Sequence, residues 1–99
     1  MAVYGIFGGS KDYGFKDQIC RAAVSVSNNV AEGFDRGSDA DFTRFLNIAR
    51  TSCHEAKSMA YLARRLDYIN ENQKNGLIGQ TEETSKIIYG LIQSLNSPK

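Results

Sequence analysis

From Gly14 onward, apolar residues recur every three or four positions, the period of an α-helix. Phe15, Ile19, Ala22, Val26 and Val30 form one such line. A second line, Cys20, Ala23, Ser27 and Ala31, is built of small side chains, which let another helix approach closely. The polar line left over is narrow: Gln18, Arg21, Ser25, Asn28, Asn29 and Glu32. The spacing predicts a helix over about residues 14–34 that is packed on more than one side. One hairpin partner cannot cover both its faces, so a homo-oligomer is expected.

The punctuation after this helix is strong. Gly33 and Gly37 bracket a turn, where glycine suits the left-handed residue that ends many helices. Ser38 is placed as an N-cap, with Asp39 and Asp41 in the first turn favouring the positive end of the helix dipole. Phe42, Phe45, Leu46, Ala49, Cys53, Ala56, Met59, Ala60, Ala63 and Leu66 then hold one apolar stripe, which predicts a helix over about 39–67. A third helix is expected over 71–95, capped by Asn70, with Leu77, Thr81, Thr84, Ile88, Leu91 and Leu95 in register. Gly76 and Gly79 each cost it roughly 1 kcal/mol against alanine, so its first half is expected to be irregular. The glycine-rich stretch 1–13 reads as irregular, with one turn of helix at 3–7. The sole proline, Pro98, interrupts none of these elements. The fold class that follows is all-α, an antiparallel up-down helical bundle in a single domain, 1–99.

Composition narrows the function classes. With 99 residues the chain has room for one modest core. Its 41% apolar and 23% charged residues are those of an ordinary soluble protein. No run spans a bilayer and the start lacks the pattern of a signal peptide, which places the protein in the cytoplasm. Cys20 and Cys53 make no disulfide framework, and His54 has no ligand-spaced neighbours for a metal. No cofactor motif is present. Net charge is only +1, yet residues 43–68 carry five bases, Arg44, Arg50, Lys57, Arg64 and Arg65, against two acids, Glu55 and Asp67. A local basic face is therefore available where a global one is not.

That face has a register. Arg50, His54, Lys57, Tyr61, Arg64 and Tyr68 are spaced four, three, four, three and four, and Arg65 lies alongside. Bases neutralise phosphates and tyrosines stack on unpaired bases, so these residues are the candidate nucleic-acid contacts. The alternative is an ordinary solvated helix face. Near the turn, Arg21, Asn29, Glu32, Arg36 and Arg44 are read as a structural polar clasp, with Glu32 mostly buried and held by an arginine. His54 and Glu55 are adjacent, hence roughly 100° apart on a helix, and form no acid–base dyad. No catalytic constellation is found, so the chain is read as a non-enzyme. Cys20 and Cys53 are expected at one level of a hairpin, as free, buried thiols.

The run QICRAAVSVSNNVAEGFDRGSDADFTRFLNIARTSCHEA resembles the four-helix-bundle proteins encoded within intervening sequences of bacterial 23S ribosomal RNA genes. The matching positions are Gln18, 21–23, Ser25, 29–33, 42–46 and 51–55, and the likeness extends over about 12–95. The NVAEG and FTRFL pair at this spacing is its specific signal. The resemblance implies an antiparallel four-helix bundle assembled as a ring, commonly a pentamer, and described as ribosomal-like or RNA-associated. Similar proteins of diversity-generating retroelements bind nucleic acid and a reverse transcriptase. Three positions depart from the pattern. Cys20 stands where many members have a second arginine, removing one charge from the possible binding surface. Thr51 replaces the usual glycine. Only ten residues precede the segment 11–14, which in the family follows a complete helix, so the first helix is expected to be largely missing. The function expected is that of a non-enzymatic RNA-associated oligomer. The rival is a structural or adaptor ring that binds a protein partner through an apolar groove.

Overall fold

The computed structural model describes residues 13–97. The turn of helix expected at 3–7, and the irregular stretch 1–13 apart from Tyr13, lie outside the described residues; Tyr13 itself is helical. Three helices make up the described chain: α1 (Tyr13–Asp35), α2 (Asp39–Arg65) and α3 (Glu71–Asn96). No strand occurs among the described residues.

Local signals set the ends. The Ser38 side chain accepts a hydrogen bond from the Asp41 amide at 3.2 Å, capping α2 as its sequence position predicts. Arg64 and Arg65 occupy the last turn, where cations favour the negative end of the dipole. Asn70 and Gln73 form a reciprocal capping box at the start of α3, each side chain accepting from the other residue's amide, at 2.8 and 2.9 Å. The boundary over-extended by periodicity is the end of α2. The helix stops at Arg65 rather than 67, because Asp67 adopts φ 59° and the Tyr68 amide turns back to the Ala63 carbonyl at 2.9 Å.

The second correction concerns glycine. Gly37, with φ 82°, is the left-handed residue of the first turn. Gly33 lies inside α1 and does something else. A Cβ added there would sit 2.8 Å from the Phe45 Cβ and 3.3 Å from the Phe42 carbonyl oxygen, so its bare Cα lets α1 touch the backbone of α2. Gly76 and Gly79 face open space. They do not break α3, which is continuous from its cap; Leu77 and Thr81 anchor its first half in the core.

The core is centred on α2. Leu46, Ala49, Cys53, Ala56, Ala60 and Ala63 are all essentially inaccessible, and α1 and α3 both pack on them. One apolar cluster joins Ile19 and Cys20 of α1 to Ala60, Ala63, Ile69 and Leu77. The other joins Val26 to Leu46, Ala49, Cys53, Ile88 and Ile92. The cysteines thus belong to different clusters, not to one level, and both are free. The stripe read on α3 shifts by one position at its end: Ile92 is buried and Leu91 exposed. Likewise Leu66, just beyond the helix, is exposed.

A polar link joins α1 to α2. The Ser25 and Ser52 hydroxyls are 2.8 Å apart, and the Asn29 amide donates to the Ser25 carbonyl at 2.8 Å. Both hydroxyls of this part-buried spot are thereby partnered, and Ser52 also lies 3.3 Å from the Ile48 carbonyl.

Two sets of glycine variants should separate close approach from helix propensity. Gly33→Ala should lower stability by about 1–3 kcal/mol, since two backbones must move apart. Gly76→Ala and Gly79→Ala should each raise it by roughly 0.5–1 kcal/mol. Thermal unfolding followed by far-ultraviolet circular dichroism checks both signs.

Candidate nucleic-acid interface

The line read along α2 borders α3, and that placement decides the state of each residue. Arg50 is half-buried and lies across the α2–α3 boundary, its guanidinium 4.9 Å from the centroid of the Tyr89 ring. Its Nε is buried without a hydrogen-bond partner. Lys57 reaches over to Glu82 at 3.1 Å. Arg64 turns to Asp67 and Glu71, both at 3.1 Å. Tyr61 is about half exposed, with the Lys74 ammonium 5.6 Å from its ring centroid. His54 and Arg65 are exposed.

Two expectations about this face therefore need correction. It is a seam between two helices, not a free helix face, and α3 brings acids to several of its bases. Tyr68 does not belong to it. The reversal at Asp67 carries Tyr68 over the end of the core, where its ring meets Phe15 edge-on at 5.3 Å. Sequence periodicity could not show the α3 side of the seam: Lys74, Glu82, Lys86 and Tyr89 were missed. The signal was available only after α3 was placed beside α2. A hollow of about 290 Å³ sits at the middle of the seam, lined by Cys53, His54, Lys57, Thr81, Glu82 and Lys86 among others. Among the described residues, no ion pair involves Lys86 or Arg65.

The polar clasp is also revised. Glu32 is exposed, not buried, and pairs with Arg36 one turn on at 2.8 Å. Arg21 pairs with Asp17 at 3.3 Å, and Arg44 with Asp41 at 3.7 Å. Asn29 serves the Ser25–Ser52 link instead. The five residues do not form one clasp, because each charged member pairs with a residue three or four positions away: Arg21 with Asp17, Glu32 with Arg36, and Arg44 with Asp41. What does converge at this end is aromatic: Arg36 and Arg44 lie over the Phe45 ring, at 5.2 and 4.5 Å. Exposed pairs of this kind contribute at most about 1 kcal/mol each.

A second surface is apolar. α1 and α3 both pack on α2 but leave a groove of about 540 Å³ between them, floored by Phe42. Val26, Val30, Phe34, Ile87 and Leu91 line it, and Phe34 is 72% exposed. The small-residue line read on α1 opens here: Ser27 and Ala31 are exposed on this groove.

No group of three or more His, Cys, Asp or Glu side chains suited to a metal ion occurs among the described residues. None of the described helices is long and apolar enough to cross a membrane.

Comparison with known proteins places this architecture. The family profile of the 23S rRNA-intervening sequence protein matches residues 1–90. The chain belongs to that family. It is also similar to the crystal structure of a protein of unknown function from the S23 ribosomal protein family of Bacteroides thetaiotaomicron. That likeness has a TM-score of 0.85 at 27% identity, covering 92% of this chain and 85% of the other. No curated protein matches it. The family resemblance carried by the NVAEG and FTRFL segments thus agrees with the profile. Structurally these segments are the ones that hold the Gly33 crossing, with Phe42 and Phe45 supplied by FTRFL.

Two titrations follow from the geometry. Hydrogen bonds from Lys74 and then Arg64 hold the Glu71 carboxyl below its ordinary value of 4.5. A depressed carboxylate stabilises the fold above the unfolded value, and that contribution is lost as pH falls through the folded value. The unfolding temperature of the native protein should therefore exceed that of Glu71→Gln at neutral pH, with the difference closing below about pH 4.5. A constant difference down to strongly acid pH would contradict the assignment. Burial pushes the Cys53 thiol up, against the opposing influence of Arg50. A thiol reagent should label Cys53 slowly in native protein and quickly in denaturant.

Proposed function

We propose that this protein is a non-enzymatic, RNA-associated, ribosomal-like component that works in the cytoplasm as a homo-oligomer. The observation that carries the reading is the α2–α3 seam. Arg50, Lys57, Arg64, Lys74 and Lys86 gather along one border, next to two half-exposed tyrosines, in a chain of net charge only +1. Arg65 extends the positive surface beyond it, and His54 sits at its centre. Membership of a family named for 23S rRNA intervening sequences, and likeness to an S23 ribosomal protein family member, support the same direction. The contacts of α2 support an antiparallel up-down arrangement: Gly33 meets Phe42 and Phe45, Ser25 meets Ser52, and Cys20 clusters with Ala60 and Ala63. The four-helix bundle and pentameric ring that the family resemblance implies are part of this proposal.

Oligomerisation is supported by the apolar surface left open. Val24, Phe34, Ile87, Leu62 and Leu66 are each about half exposed or more. Fully burying such a side chain contributes about 1.5–3 kcal/mol, and about half of that or more remains to be gained at each of these positions. A ring would also repeat a weak basic strip, turning several modest contacts into a multivalent surface.

A pull-down from lysate, with and without nuclease, should show nuclease-sensitive retention of RNA. Replacing Lys57, Arg65 and Lys86 together by Glu should abolish retention without loss of helicity. Affinity should fall steeply with salt, with a slope of about −0.7 per phosphate contacted. Sedimentation of the native protein should give an oligomer at micromolar concentration, and a stable monomer would contradict that half of the proposal.

The second reading, an adaptor ring that binds a protein partner, is favoured by the Phe34 groove. It predicts salt-insensitive retention of a protein that is lost in Phe34→Ser and kept in the triple glutamate variant.

A further inference from the structure

We infer that the α2–α3 seam selects unpaired RNA over duplex, with Tyr61 and Tyr89 as two stacking platforms at its ends. This inference rests on the RNA reading above and adds to it the class of ligand and the α3 side of the site.

The two rings are set up alike. Tyr61 belongs to α2 and receives Lys74 from α3; Tyr89 belongs to α3 and receives Arg50 from α2. In each case a cation from the opposite helix lies near the ring, at 5.6 and 4.9 Å, and roughly half of the tyrosine stays exposed: 49% for Tyr61 and 47% for Tyr89. Each ring is braced by its neighbour and keeps surface for a ligand. Flat, anchored, exposed rings are what nucleobases stack on, and stacking needs a base whose face is free. In a duplex those faces are covered by neighbouring bases, and A-form RNA offers mainly its backbone and 2′-hydroxyls.

The spacing fits a strand rather than a single nucleotide. Tyr61 lies eleven positions along α2 from Arg50, which marks the Tyr89 end, a rise of about 16 Å. That is several times the ~3.4 Å step between stacked bases, so intervening nucleotides must cross the middle of the seam. The hollow lined by His54, Lys57, Ser85 and Lys86 lies there. Its charge is adjustable, since Lys57 is held by Glu82 at 3.1 Å. A phosphate arriving at Lys57 competes with that carboxylate, whereas Lys86 has no ion-pair partner among the described residues.

The test is fluorescence anisotropy at low salt with the full chain and two probes, a fluorescein-labelled oligoadenylate and an RNA duplex, each of about 12 nucleotides per strand. The single strand should bind at least about tenfold more tightly than the duplex. Tyr61→Leu and Tyr89→Leu should each weaken single-strand binding by about tenfold, leave duplex binding unchanged, and be rescued by Tyr→Phe, which keeps the stacking face. Glu82→Gln should tighten single-strand binding by freeing Lys57. Circular dichroism on each variant confirms the helices, since both tyrosines are half exposed. Equal binding of the two probes, or tyrosine variants that bind the strand as well as wild type, would overturn the inference and leave the RNA reading standing. Binding of neither probe by wild type would overturn both.

Discussion

The structure depends on one helix being slim enough to be packed from two sides. Along α2, Ala49, Ala56, Ala60 and Ala63 alternate with Leu46 and Cys53, and none of these six is accessible. Small side chains on the central helix let both neighbours come close, and Gly33 closes the approach completely at one crossing. Dispersion contacts accumulate only where surfaces meet without gaps, so this closeness stabilises a chain with few large core residues. The same arrangement leaves α1 and α3 each covered on one side. The molecule measures 49 × 21 × 16 Å, and this arrangement leaves two open features. One is the apolar groove between α1 and α3; the other is the polar seam between α2 and α3.

The seam shows why counting charges along one helix misleads. Five bases stand against two acids over residues 43–68, yet Lys57 and Arg64 are partnered, by Glu82 and Glu71 of α3 and by Asp67. The pairs are solvated, so each holds its base weakly. A ligand phosphate can displace a surface carboxylate at small cost, which an enclosed ion pair would not permit. The internal acids therefore temper the basic strip without cancelling it, in keeping with a near-neutral chain that is proposed to hold RNA by repetition of modest contacts.

Features specified by a few consecutive residues were legible in the sequence. Ser38 with Asp41, and Asn70 with Gln73, announced two helix starts, since a cap is a local hydrogen bond. The buried line of α1 was legible for the same reason, because amphipathic period is local. What failed was non-local. Gly33 was assigned to a turn because its partner, Phe45, lies in the next helix. Glu32 finds one of its expected arginines, Arg36, a local partner one turn away; only its burial, which depends on neighbouring helices, differs from expectation. Tyr68 kept the register of α2 on paper, but a positive φ at Asp67 removes it from the face. Half of the candidate site, Lys74, Glu82, Lys86 and Tyr89, became visible only once α3 lay beside α2.

RNA is proposed to meet this protein along the α2–α3 border. The most direct measurement is ultraviolet cross-linking of the native protein to a uridine-rich single strand, followed by mass spectrometry of the peptides. Nucleotide adducts are expected on peptides that contain Tyr61 and Tyr89, with peptides of α1 unmodified. Adducts concentrated on Phe34 and its neighbours in the apolar groove, or no adducts at all, would contradict it.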